Sequence, residues 1–332
     1  MAWAERKQII SEIEHVRGSR VICYVTSDRP NANVFISTDA SPIFHDFLSE
    51  IGPTDKIDLF LYTQGGDTLA AFGICRLLRE YCKRLGVLIP FRCHSAGTLI
   101  ALGADEVTMT RGGTLSPIDP SVAGPLNPAV EVGPGQRQLV PLSVEQVAGF
   151  MDLVKKDWGI DGDALGDAFK ALAEKVHPLA LGNVYRARQQ IELLAKTLLR
   201  AVRSGGDDEI GKIVSTFARD LGSHDFPITR SSARDILGSQ VAADNPDLEA
   251  LIWRLYQDYA KEMRLREPFD PSLLLAGQGG TRQVKTTLLL AMIETVSAGD
   301  AAERELQLTS VTTPMGPGVQ QEIVRAGWRH YT

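Results

Sequence analysis

At 332 residues the chain is long enough to bury one large core or two modest ones. Hydrophobic residues make up 44% of it and charged residues 23%, the balance of an ordinary soluble globular protein. A net charge of −6 without any Lys/Arg block excludes a general nucleic-acid binder.

The first twenty residues are amphipathic and charged throughout, and no later apolar run reaches spanning length free of charge. Neither a signal peptide nor an integral membrane segment is therefore expected. The cysteines Cys23, Cys75, Cys82 and Cys93 include no CxxC pair and no metal-type spacing. Each falls inside an expected strand or helix and reads as a small core residue, Cys75 and Cys82 on one helix face. Reduced thiols suit a cytoplasmic protein. No metal or cofactor is expected.

The chain opens on a helix from about Ala4 to Val16, with Ile9, Ile10, Ile13 and Val16 on one face and Gly18 as its stop. Val21–Ser27 reads as a strand, and Ser41–Ile51 as a helix capped by Asp39 or Ser41. Ile57–Thr63 is a nearly continuous apolar strand of the kind covered on both faces in a parallel sheet. After Gln64-Gly65-Gly66-Asp67 comes a helix with Ala70, Ile74, Leu77, Leu78, Tyr81 and Leu85 at helical spacing. Strand Val87–Cys93, a short helix after Ser95 and strand Glu106–Met109 follow. The alternation implies right-handed βαβ crossovers and a parallel sheet, an α/β fold.

From Thr110 to Leu142 the prolines, Pro117 to Pro141, argue against any regular element, and loops of that length are usually functional or mobile. From Ser143 the pattern is mainly helical: Ser143–Trp158, opened by a Ser143/Gln146 capping box, then Asp161–Val176, Leu181–Val202 and Asp207–Leu221. Phe226–Val241 reads as a short strand and helix returning to the sheet, and Asn245-Pro246 opens a long amphipathic helix. Val284–Val296 is ambiguous between strand and helix, whereas Glu305–Pro314 reads as a strand. The expected organisation is an α/β core over 1–142 and a mainly helical, non-independent continuation over 143–332.

Two stretches carry the chemistry. Gly65-Gly66, between a strand and a helix, lets backbone N–H groups face a ligand because no Cβ blocks approach. The plainer reading is a tight turn that needs glycine only for its dihedrals. The motif lacks the spacing of a nucleotide-binding loop. Ser95, in Cys-His-Ser-Ala-Gly, sits where a strand end meets a helix start, a good place for a nucleophile, although the local sequence alone favours a helix cap. An α/β-hydrolase elbow would need glycine in place of Cys93. On neighbouring strands of an open parallel sheet, a glycine N–H and the N–H of Ala96 would form an oxyanion hole beside Ser95.

LYTQGGDTLAAFGICRLLREY resembles the glycine-rich strand–loop–helix of the ClpP/crotonase superfamily, and CHSAGTLIALGADEVTM the nucleophile helix of signal-peptide-peptidase-A-type enzymes. With LSPIDP after them, these segments most resemble the serine dehydrogenase proteinases (SDH type), a branch of that superfamily. The resemblance covers about Ile57 to Pro120, and more loosely Val21–Thr63 and Phe226–Val241. It implies a ClpP/crotonase-like fold and a serine peptidase with Ser95 as nucleophile and Gly65, Gly66 and Ala96 at the oxyanion hole. It further implies a peptide or protein substrate and a homo-oligomer.

A serine nucleophile needs a base, His in a triad or a neutral Lys in a dyad. The position of the Clp-type histidine is occupied by Ile118, followed by Asp119, and no lysine stands between Lys83 and Lys155, where signal-peptide-peptidase-type enzymes carry theirs. DLVKK resembles a Lys-bearing helix of the SDH-type branch, which nominates Lys156 and, behind it, Lys155. Asp119, His177, His224 and Asp225 are accessory candidates; His177 precedes Pro178 at a helix end, and Asp225 lies near the Clp-type triad acid. Two alternatives stay open: a scaffold that has lost its base, and an acyl-CoA enzyme of the crotonase kind.

Overall fold

The computed structural model describes residues 2–118, 121–122, 124–133, 136–277, 282–313 and 316–332. The chain forms two compact units, Met1–Leu115 with Ile228–Thr332, and Ser116–Pro227.

The elements begin with α1 (Ala2–Arg17), β1 (Arg20–Thr26), α2 (Ala40–Ile51), β2 (Thr54–Tyr62) and α3 (Thr68–Tyr81). Next come β3 (Cys82–Ile89), β4 (Arg92–Cys93), α4 (Ala96–Leu102), β5 (Glu106–Met109) and β6 (Thr114–Leu115). The second unit holds β7 (Ser121–Val122), β8 (Ala129–Gly133), β9 (Gln136–Leu139) and β10 (Leu142–Ser143). It continues with α5 (Val144–Asp152), α6 (Gly162–Lys175), α7 (Pro178–Val202) and α8 (Asp207–Ser215). Back in the first unit are β11 (Ile228–Thr229), α9 (Arg230–Leu237), α10 (Pro246–Glu262) and α11 (Pro271–Ala276). The last elements are β12 (Gln283–Glu294), β13 (Gly299–Thr313) and β14 (Gly316–Tyr331).

The main sheet runs β14-β13-β12-β1-β2-β3-β5. The β1-β2-β3-β5 half is parallel, as the βαβ series predicts. The six residues from Ile57 to Tyr62 are all buried because helices cover both faces. Val21, Cys23 and Val25 face α1 and α10, packing with Ile10, Ile13, Ile252 and Tyr259. Tyr24 alternates to the other face and meets Phe44 of α2 edge-on. Each such buried side chain contributes roughly 1.5–3 kcal/mol of transfer free energy.

In the remaining half of that sheet, most of Val284–Val296, ambiguous from its sequence, lies on strand β12, and Glu305–Thr313 lies on strand β13. β12 pairs antiparallel with β1 (Cys23↔Glu294), and β13 and β14 extend it as long antiparallel strands. Arg6 of α1 is buried and holds Glu294 through two bonds of 2.8 and 2.7 Å. Tyr259 and Tyr331 each donate to the same carboxylate at 2.5 Å. This fully buried anion is therefore paired and hydrogen-bonded from three elements, as a buried charge requires.

Two further features differ. Helix α3 ends at Tyr81 rather than near Leu85, because Cys82–Leu85 pairs with β2 (Leu85↔Ile57). Cys82 consequently lies on a strand and does not share a helix face with Cys75. Strands Ala129–Gly133 (β8) and Gln136–Leu139 (β9) pair antiparallel, where no regular element is expected from the prolines. Elsewhere Val241 bridges to Val107, so the return of Phe226–Val241 to the sheet is observed. The Ser143 N–H donates to Gln146 Oε1 at 3.4 Å, half of the expected capping box.

Candidate active site

Two strand ends at the carboxyl edge of the parallel half carry the two motifs side by side. Thr63 N–H donates to Arg92 O (3.0 Å) and His94 N–H to Thr63 O (3.1 Å), which fixes the turn after β2 against the turn after β4. Asp28 accepts from Tyr62 OH at 2.5 Å and pairs with Arg92, tying the end of β1 to both. Asp67 then caps α3, its carboxylate accepting from Leu69 N–H and Ala70 N–H.

Glycine is required in both turns. Gly65 has φ 112°, and a Cβ there would sit 2.7 Å from Ser95 Cβ and 3.3 Å from the Ala96 nitrogen. Gly66 has φ 145° and lies against the Ile36 backbone too closely for any side chain. At Gly97 a Cβ would stand 2.6 Å from Thr63 Cγ2, so a small residue lets α4 approach β2.

Ser95 adopts φ 48°, ψ −110°, a conformation that L residues rarely hold and that costs of order 1–3 kcal/mol. It occupies the N-cap position of α4, yet its side chain makes no cap hydrogen bond. The plain capping role that the sequence allows is thus absent. Neither Gly66 N–H nor Ala96 N–H has a hydrogen-bond partner among the described residues. Gly65 N–H, by contrast, donates to Thr63 Oγ1 at 3.0 Å. His94 directs its Nε2 to Thr114 Oγ1 at 2.9 Å.

The structure brings Gly65, Gly66, Ser95 and Ala96 together and places Lys155, Lys156, His177, His224 and Asp225 in the other compact unit. Asp119 lies outside the described residues. Lys155 and Lys156 sit on a π-helical turn, Leu153–Asp157, that follows α5. Lys156 Nζ pairs with Asp152 at 2.9 Å, is 70% exposed, and borders a cleft of about 690 Å³ with Tyr185, Arg188 and Arg219. His177 is the N-cap of α7, and its Nδ1 accepts the Leu179 N–H at 3.2 Å. His224 and Asp225 are exposed in the turn before Phe226.

Sequence reading missed Thr26, Thr63 and Ile36. Thr26 donates to Thr63 Oγ1 at 2.9 Å, and Ile36 N–H donates to Gly65 O at 2.8 Å. The available signal was a threonine at the carboxyl end of each of two neighbouring strands. Among the described residues no cluster of His, Cys, Asp or Glu is arranged to hold a metal ion, and no helix is long and apolar enough to cross a membrane.

The candidate site is thus a strained serine seated on a diglycine turn at the carboxyl edge of the parallel half of an α/β sheet. Residues 1–133 match the family of ClpP-like SDH-type serine proteinases. The uncharacterized proteins MJ1495 and MJ0137 of Methanocaldococcus jannaschii are 27% and 24% identical to the chain. The first match covers 78% of each protein, the second 77% of this chain and 80% of the relative. Among solved structures, a membrane-bound stomatin-specific protease (1510-N) aligns at TM-score 0.39 and 15% identity over 64% of this chain and 76% of its own. ClpP1 of Listeria monocytogenes aligns at TM-score 0.37 and 14% identity, over 71% of this chain and 98% of its own.

Proposed function

We propose that the chain is a serine peptidase acting on peptide or protein substrates. Ser95 Oγ attacks the scissile carbonyl carbon, and the oxyanion that forms is held by Gly66 N–H and Ala96 N–H. A lysine of the 153–157 turn, Lys156 ahead of Lys155, takes the hydroxyl proton and returns it to the leaving amine; water then releases the acyl group by the reverse sequence. To serve as base, Lys156 must leave Asp152 and become desolvated, since only a neutral amine accepts a proton.

The carrying observation is the approach of Gly65 to Ser95, which sets two unpartnered N–H groups beside a strained serine. Four unpaired thiols support a reducing, cytoplasmic setting. Leu179, Tyr185 and Leu193, all strongly exposed on α7, support self-association into a homo-oligomer.

A fluorophosphonate probe should label the wild-type protein and not Ser95→Ala, and Lys156→Ala should lower casein hydrolysis by about a hundredfold or more. Wild-type protein that neither labels nor cleaves would sink the reading. That outcome would favour the catalytically silent scaffold, which draws its own support from the exposed, ion-paired state of Lys156.

A further inference from the structure

We infer that Thr63, backed by Thr26, is the positioning residue that aims the Gly66 N–H at the oxyanion. The inference rests on the assignment of Ser95 as nucleophile.

Of the Gly65, Gly66 and Asp67 N–H groups, two are consumed. Gly65 N–H donates to Thr63 Oγ1 (3.0 Å) and Asp67 N–H to Ile36 O (2.9 Å). The Gly65–Gly66 peptide is trans, so its C=O and N–H point in opposite directions. Its carbonyl is pinned by Ile36 N–H at 2.8 Å and by the Thr63 hydroxyl at 3.3 Å. The Gly66 N–H must therefore point away from Ile36, fixed by groups that hold the other end of the same peptide plane.

Thr63 does this with a saturated hydroxyl. A hydroxyl has one proton and two lone pairs. Here the lone pairs accept Thr26 OH (2.9 Å) and Gly65 N–H, and the proton goes to Gly65 O. Because Thr26 supplies a donor, Thr63 is free to spend its own proton on the carbonyl. Both threonines are buried, at 0% and 1% exposure, so water does not compete for these bonds. The Thr63 methyl lies against Gly97 of the serine's helix, and its backbone pairs with Arg92 and His94. One residue thus sets both halves of the oxyanion site.

The test follows fluorophosphonate inactivation, which separates the chemical step (kinact) from binding (KI) without a known substrate. Thr63→Val keeps the shape and removes the hydroxyl; it should lower kinact about tenfold to a hundredfold and leave KI unchanged. Thr63→Ser restores the hydroxyl and should return kinact to within about threefold of wild type. Thr26→Val, one bond further back, should show the same split with a smaller loss. Wild-type kinact in Thr63→Val, a loss residing in KI, or Thr63→Ser as impaired as Thr63→Val would overturn the inference. If Thr63→Val does not fold, Thr26→Val decides, and an unchanged kinact there overturns it. Failure of the wild-type protein to label at all is a different result: the nucleophile assignment fails and takes this inference with it.

Discussion

Gly65 and Ser95 lie against each other: a Cβ on the glycine would stand 2.7 Å from the serine Cβ, closer than real non-bonded Cβ contacts come. The glycine also holds φ 112°, so alanine is strained there whatever the space. Gly65→Ala is expected to abolish fluorophosphonate labelling and to cost about 1–3 kcal/mol of stability. Labelling kinetics and urea denaturation check both parts; wild-type labelling would mean the contact does not matter to the site.

Ser95 sits at φ 48°, a left-handed backbone conformation that L residues rarely hold, and its side chain makes no cap hydrogen bond to α4. Glycine relieves such strain and alanine retains it, against a smaller loss from the glycine's freer unfolded chain. Ser95→Gly should therefore be more stable than Ser95→Ala by about 1 kcal/mol, with both inactive. Equal urea midpoints for the two variants would remove the strain argument.

Arg17 is mostly buried and grips Asp58, itself fully buried, through two bonds of 2.9 Å, with Glu106 at 2.5 Å. Gly86 gives the Asp58 carboxylate its room, since any Cβ there would collide with it. Removing the cation leaves the buried carboxylate with only Ser19 Oγ at 2.7 Å and Lys56 Nζ at 3.9 Å beside it. Arg17→Ala should destabilise by about 3 kcal/mol, and adding Asp58→Asn should recover part of that. Denaturation midpoints of the single and double variants decide, and a neutral Arg17→Ala would contradict the burial.

Burial pushes every thiol up: Cys82 to about 11, Cys75 to about 12, and Cys23 and Cys93 further still. Because the folded values lie above the ordinary 9.0, the neutral thiols favour the fold fully below pH 9. As pH rises from there, unfolded thiols ionise first and the fold loses that contribution. Iodoacetamide at pH 8 should leave the folded protein unmodified and alkylate all four after denaturation, and stability should fall above pH 9. Rapid alkylation of the native protein would refute this.

Much of the site was legible because its signals are local. Gly65-Gly66 after a buried strand, and Ser95 before a run of small residues, announce two turns that a parallel sheet must set at the same edge. Lys156 was a weaker reading, since an exposed lysine four residues from an aspartate looks the same whether it is a base or a solvated ion pair.

The sequence by itself determined the βαβ series, the continuous burial of β2 and the glycines, because periodicity and dihedral demand are properties of neighbouring residues. Only the tertiary structure decided that the residues Gln283–Glu294, ambiguous by periodicity, form a strand. Their conformation is set by pairing with the free edge of β1 some 270 positions away (Cys23↔Glu294), and no local pattern encodes an edge in need of a partner. The same holds for the close approach of Gly65 to Ser95. Each glycine and serine had a plausible local use, and the contact between their turns exists because Thr63 pairs with Arg92 and His94 across the sheet.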